Sequence, residues 1–210
     1  MAQEVEVRSM LNAKNAIALS ELFTRELGEP TLIKRFVLVH VGRPDFYPDP
    51  SRNLDLKVRT DGSKVLVTAK LGSWHDAATR TEIEFPVAHE HFESVVRFIH
   101  ATGYDHFVAM YQVRKRWSEH PRVITLDNFM LSGHHILEVE ELVDECNDSA
   151  DAEQRVRSFL KQYGCEELDS NGTRKYIEEI NSTTSSQLTI ANVNLKQWLM
   201  ERRSMIDCLE

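Results

Sequence analysis

The chain is short of the residues that staple or punctuate small folds, with three cysteines, eight glycines and six prolines in 210 residues. Cys146, Cys165 and Cys208 are odd in number and widely spaced, with no Cys-x-x-Cys. That excludes a disulfide scaffold and predicts the reduced thiols of a cytoplasmic protein. No run approaches the ~18 apolar residues that cross a bilayer, so no membrane partner is expected. The opening Met-Ala-Gln-Glu-Val-Glu has neither the basic nor the apolar region of a secretion signal. Positive charge is in deficit, with 25 Lys and Arg against 33 Asp and Glu and a net charge of −8. This argues against nucleic acid as a partner while leaving room for a local basic site. Internal repeats, His-Glu-x-x-His, Gly-x-Ser-x-Gly and the phosphate-binding Gly-x-x-x-x-Gly-Lys-Ser/Thr are all missing.

What is present is alternation. Period-2 patterns predict eight strands, at Gln3–Ser9, Leu32–Val41, Leu54–Thr60, Lys64–Leu71, Arg80–Val87, His106–Trp117, Val123–Asn128 and His134–Val143. Asp61-Gly62 is a hairpin signal between the third and fourth. Helical spacing appears over Ala13–Leu27, which Gly28 and Pro30 stop, and over Glu90–Thr102, which Gly103 ends. Two further helices are expected at Ala150–Tyr163 and Arg174–Ile180. A last amphipathic helix carries Leu195, Trp198, Leu199 and Ile206 on one face, to pack on the body or on a second subunit in a homodimer. Length and composition fit one domain over residues 1–180 with a C-terminal extension over 181–210.

The polar face of these strands is unusual in being charged, in both signs, on nearly every strand. Glu4, Glu6 and Arg8 oppose Val5 and Val7; Asp55, Lys57 and Arg59 oppose Leu56 and Val58. Lys64, Thr68 and Lys70 share a face, as do Arg80, Glu82 and Glu84, then Arg114 and Arg116, and finally Glu138 and Glu140. Two architectures satisfy the pattern. One is a sheet with helices on its apolar face and its charged face in water. The other is a closed barrel with a charged interior and helices outside. The type of charge bears on the choice: three Glu-x-Glu pairs repel unless cations intervene, and hard divalent cations favour carboxylate oxygens. Arginine forks suit phosphate oxygens. Carboxylates for a divalent metal beside cations for phosphates are the parts needed to cut a polyphosphate.

Taken in order, Glu4-Val-Glu6-Val-Arg8, Leu56-Lys57-Val58-Arg59, Thr68-Ala-Lys70, Arg80-Thr-Glu82-Ile-Glu84, Arg114-Lys-Arg116, Asp127 and Glu138-Val-Glu140 resemble the motifs of the CYTH superfamily, the triphosphate tunnel metalloenzymes. The resemblance spans residues 1 to about 180. It implies an α+β fold in which an eight-stranded antiparallel β-barrel encloses a triphosphate tunnel, with helices packed on the outside. It also implies hydrolysis of a small-molecule triphosphate with Mg²⁺ or Mn²⁺, or, in one branch, cyclisation of ATP to cyclic AMP. Metal would fall to Glu4, Glu6, Glu138 and Glu140, with Asp127, Glu82 and Glu84 in support. Substrate phosphates would fall to Arg8, Lys57, Arg59, Lys70, Arg80, Arg114 and Arg116. Of these, Glu4, Glu6, Lys70 and Arg116 would carry catalysis. Two departures stand out: Arg8 replaces the family's lysine, and the second strand lacks the expected polar pattern, leaving His40 and Arg43 as candidate substitutes.

Overall fold

A computed structural model describes residues 3–46, 53–61, 64–72, 81–130, 132–143, 149–182 and 187–207, without the side chains of 3–4 and 203–207. Strands β1 (Gln3–Leu11), β2 (Thr31–His40), β3 (Leu54–Asp61), β4 (Lys64–Leu71), β5 (Thr81–Val87), β6 (His106–Glu119), β7 (Arg122–Phe129) and β8 (His134–Val143) form one antiparallel sheet. Their spatial order is β1-β8-β7-β6-β2-β3-β4-β5, and a short β9 (Gln187–Thr189) pairs with the start of β6. The sheet curls into a half-barrel. Among the described residues no ladder joins β1 to β5, yet Lys70 on β4 reaches Glu6 on β1 at 3.7 Å across the open side. Thus the eight-stranded barrel is borne out, with its seam bridged by side chains.

Alternation decides which face is which. Outward residues of β1, β7 and β8 (Val5, Val7, Ile124, Leu137, Val139) are buried under α1 (Ala13–Leu27) and α3 (Ser149–Gln162). Outward residues of β2, β3, β4 and β6 (Phe36, Leu38, Val58, Val65, Phe107) lie under α2 (Phe92–Ala101) and α5 (Leu195–Asp207). Helix α1 begins where the Asn12 side chain accepts from the Asn15 N–H at 2.8 Å, and its Leu19 and Phe23 fall on the buried stripe. It ends at Gly28, whose φ of 91° a side chain would resist. No helix among the described residues is long and apolar enough to cross a membrane.

Helix α4 (Ser170–Asn181) is placed differently. Its Ile180 and Tyr176 pack with Val41, Val108, Phe129 and Ile136, residues of the concave side, so α4 lies across one end of the interior. Both of its ends are tied. The Leu168 N–H donates to the Arg8 carbonyl at 2.7 Å, on the outer edge of β1, and Asn181 Nδ2 donates to the Phe46 carbonyl at 3.0 Å in the loop after β2. The helix starts four residues before the expected Arg174, because Asp169 caps it by accepting from the Gly172 N–H at 2.6 Å.

Candidate functional site: a charged cavity inside the half-barrel

Inward side chains from all eight strands meet in a cavity of about 500 Å³. Because each strand contributes alternate residues, the charged face read from the sequence becomes its wall. Three carboxylates converge: Glu6, Glu138 and Glu140 each place an oxygen within 4.8 Å of the others. The pairing of β1 with β8 causes this, since Glu6 sits opposite Glu140 and Arg8 opposite Glu138. Such a close set of hard oxygen donors suits Mg²⁺ or Mn²⁺.

The electrostatics of the cluster are uneven. Burial pushes the Glu6 carboxyl up to about 7; Arg8 and Lys70 oppose the rise and Glu138 adds to it. Burial would raise Glu138 too, but Arg8 and Arg114 hold it well below the usual carboxylate range. Arg8 donates from Nε to Glu138 Oε1 at 2.8 Å and pairs with Glu6. Arg114 makes a two-pronged pair with Asp127, Nε to Oδ1 at 2.6 Å and Nη2 to Oδ2 at 2.5 Å, and reaches Glu138 Oε2 at 3.0 Å. Thr125 donates to the same Glu138 oxygen at 3.3 Å. Asp127 therefore sits beside the cluster as the anchor of Arg114.

The wall formed by β3, β4 and β5 is built from ion pairs. Lys57 Nζ lies 3.0 Å from Asp55, and Lys70 Nζ lies 2.9 Å from Glu82. Arg59 donates to Glu84 at 2.7 Å, and Thr68 donates to the same Glu84 oxygen at 2.9 Å. Burial lowers the Lys57 pKa against the pull of Asp55. Glu82 and Glu84 stand on β5 outside the carboxylate cluster, and Lys70 bridges Glu82 to Glu6 of that cluster. Arg116 lines the cavity as an exposed residue at the far end of β6. The Arg80 assignment and Gly62 of the hairpin turn lie outside the described residues, while Asp61 pairs with Lys64 where β3 meets β4. Glu4 is placed by its backbone opposite Leu142, and its side chain is likewise outside the description.

The second strand is a correction. Arg35 of β2, not among the candidate residues, points inward and pairs with Asp61 at 2.8 Å. The signal was available: Arg35 shares parity with Ile33, Val37 and Val39. His40 instead faces the outer core against Tyr104 and Phe107, and Arg43 pairs with Asp45 in the following loop. Tyr176 is the other missed residue. It reaches the cavity from α4, and its hydroxyl is pushed well above the usual range by burial, with Arg8, Asp127 and Glu138 among the charges around it.

No family model and no curated protein matches the chain. Solved structures do. The PH1819 protein of Pyrococcus horikoshii OT3 is 22% identical with a TM-score of 0.62, over 84% of this chain and 98% of that one. A putative adenylate cyclase from Vibrio parahaemolyticus is 16% identical with a TM-score of 0.56, over 78% and 90%. A putative adenylyl cyclase from Hippeastrum, described as having a dominant triphosphatase activity, is 14% identical with a TM-score of 0.51, over 80% and 90%. The chain shares the fold of these three structures, two of which are named as putative cyclases.

Proposed function

We propose that the protein is a divalent-metal-dependent hydrolase of triphosphate compounds, with the substrate held inside the curled sheet. The observation that carries this reading is the convergence of Glu6, Glu138 and Glu140 in the same 500 Å³ cavity as Arg8, Lys57, Arg59 and Lys70. The fold shared with a cyclase-named protein of dominant triphosphatase activity supports it. Glu6, Glu138 and Glu140 would hold Mg²⁺ or Mn²⁺, which when bound supplies Lewis-acid polarisation of phosphoryl oxygens. Arg8 keeps Glu138 ionised and turned toward that position.

The cations divide by their surroundings. Arg59–Glu84 and Lys70–Glu82 lie against the edge strand β5, where water reaches the carboxylate partner more than it reaches Asp127. Phosphate oxygens can take the place of those carboxylates, which are then free to turn to water. Arg114 is committed to Asp127 and Glu138 in the interior, so it positions the metal-binding carboxylate rather than gripping substrate. Lys57, Arg116 and Arg80 extend the phosphate-binding set on this reading.

Cyclisation of ATP is the second reading, favoured by the names of the Vibrio and Hippeastrum structures. It differs in whether water or the ribose 3′-oxygen attacks. Purified protein with Mg²⁺ or Mn²⁺, offered tripolyphosphate, thiamine triphosphate, ATP and 5′-triphosphate RNA, tests both. Orthophosphate release is expected; pyrophosphate with cyclic AMP from ATP would establish the cyclase instead. Tight binding without turnover would reduce the site to a polyphosphate-binding module.

A further inference from the structure

We propose that Gln112 on β6 and Tyr176 on α4 form an uncharged clamp for a phosphoryl oxygen of the substrate. This rests on the phosphate reading above and adds two contacts that the charged motifs do not supply. Both side chains line the cavity, and neither has a hydrogen-bond partner among the described residues. Gln112 is 9% exposed, so folding takes its amide out of water without giving it a replacement. A buried polar group left in that state costs stability, and a ligand that completes its hydrogen bonds accounts for its presence.

Phe129 links the two. Gln112 is in register with Phe129 of β7, and the Tyr176 ring meets the Phe129 ring edge-on, with centroids 5.7 Å apart. A second edge contact, 5.8 Å from the His134 ring, holds Tyr176 from β8. The surroundings point to the chemistry of the ligand. Gln112 is also in register with Arg35 of β2, and Arg114 is the next inward residue along β6. Both guanidiniums are already committed, Arg35 to Asp61 at 2.8 Å and Arg114 to Asp127 and Glu138 at 2.5 and 3.0 Å. An anionic oxygen entering here meets nearby positive groups but no free charged donor. The Gln112 amide and the Tyr176 hydroxyl, each able to turn a hydrogen toward that oxygen, supply the missing donors. Burial pushes the Tyr176 hydroxyl well above its usual range, so it stays protonated and remains a donor.

The test is calorimetric binding, with Mg²⁺ present, of a tripolyphosphate analogue whose bridging oxygens are replaced by methylene groups. Tyr176→Phe keeps the ring and Gln112→Met keeps the length of the side chain, so each removes the polar group alone. Each should weaken binding roughly ten- to hundredfold, the range for losing one hydrogen bond to a charged oxygen. Neither group has a partner to lose in the free protein, so the ligand-free thermal midpoint should hold or rise in both variants. A merely structural role would lower that midpoint instead. Unchanged affinity in either variant, or a lowered ligand-free midpoint in both, would overturn the clamp and leave the phosphate reading standing. Weakened binding by the variants of a protein that hydrolyses neither tripolyphosphate nor ATP would uphold the clamp and remove the hydrolase reading. Wild-type protein that does not bind the analogue would remove both.

Discussion

Arg59 and Arg114 point into the same cavity, but their carboxylate partners sit in different surroundings. The Arg59–Glu84 side chains are 20% and 32% exposed, and those of Arg114–Asp127 are 16% and 5%. Removing Arg59 leaves a carboxylate that water can reach. Removing Arg114 strands Asp127 in the interior, where breaking a buried pair costs about 3–5 kcal/mol. Arg59→Ala should therefore raise KM at least tenfold with little change in Tm. Arg114→Ala should lower both kcat and Tm, and equal effects of the two on Tm would refute the division. Glu6 makes a second prediction. Its carboxyl loses a proton near 4.5 when unfolded and near 7 when folded. Between those values the folded state holds a proton that the unfolded state has released, so stability falls as pH rises, by up to about 3 kcal/mol. Glu138, held low by Arg8 and Arg114 despite its burial, works in the opposite sense and loses its contribution in acid. In metal-free protein, Glu6→Gln should gain stability relative to wild type from pH 5 to pH 7.5; a constant difference would show that Glu6 titrates normally.

At the scale of elements, α1 is held by aromatic packing outside the cavity. The Phe23 ring is fully buried, with centroids 5.4 Å from Trp117, 6.0 Å from Phe159 and 5.0 Å from Tyr163. Phe23→Ala should cost about 3–5 kcal/mol in denaturant unfolding while leaving kcat per folded molecule unchanged, since no residue of α1 lines the cavity. A loss below 1 kcal/mol would mean that the helix contributes little to the core. Alternation made the eight main strands legible, and their charged parity foretold the inner wall. Three features escaped for physical reasons. β9 spans three residues, too few to show a period. Arg35 is the one charge on the inner face of β2, where Ile33, Val37 and Val39 are apolar, so no alternating charged pattern marks that face. The apolar stripe of α4 announces burial but not the side of the sheet that buries it, so its place across the interior could not be read from residues alone.

For the whole molecule the decisive quantity is the charge of the cavity. Eight carboxylates and seven cations among the described residues line it, so its formal charges come out slightly negative and offer no net positive potential to draw in a triphosphate. Metal and substrate binding should therefore reinforce one another. Mg²⁺ or Mn²⁺ alone should raise the thermal midpoint, by the equivalent of about 2.7 kcal/mol at a hundred times its Kd. Chelation should reverse the rise and Glu138→Gln should abolish it; an identical shift in that variant would move the metal elsewhere. The pairing of β1 with β8 joins residues 3–11 to 135–143. During synthesis, at roughly 5–20 residues per second, the first strand would wait on the order of ten seconds before β8, its ladder partner among the described residues, leaves the ribosome. The carboxylate cluster thus cannot assemble before β8 is made, and a ribosome-stalled fragment ending before β8 should be unable to capture metal at it.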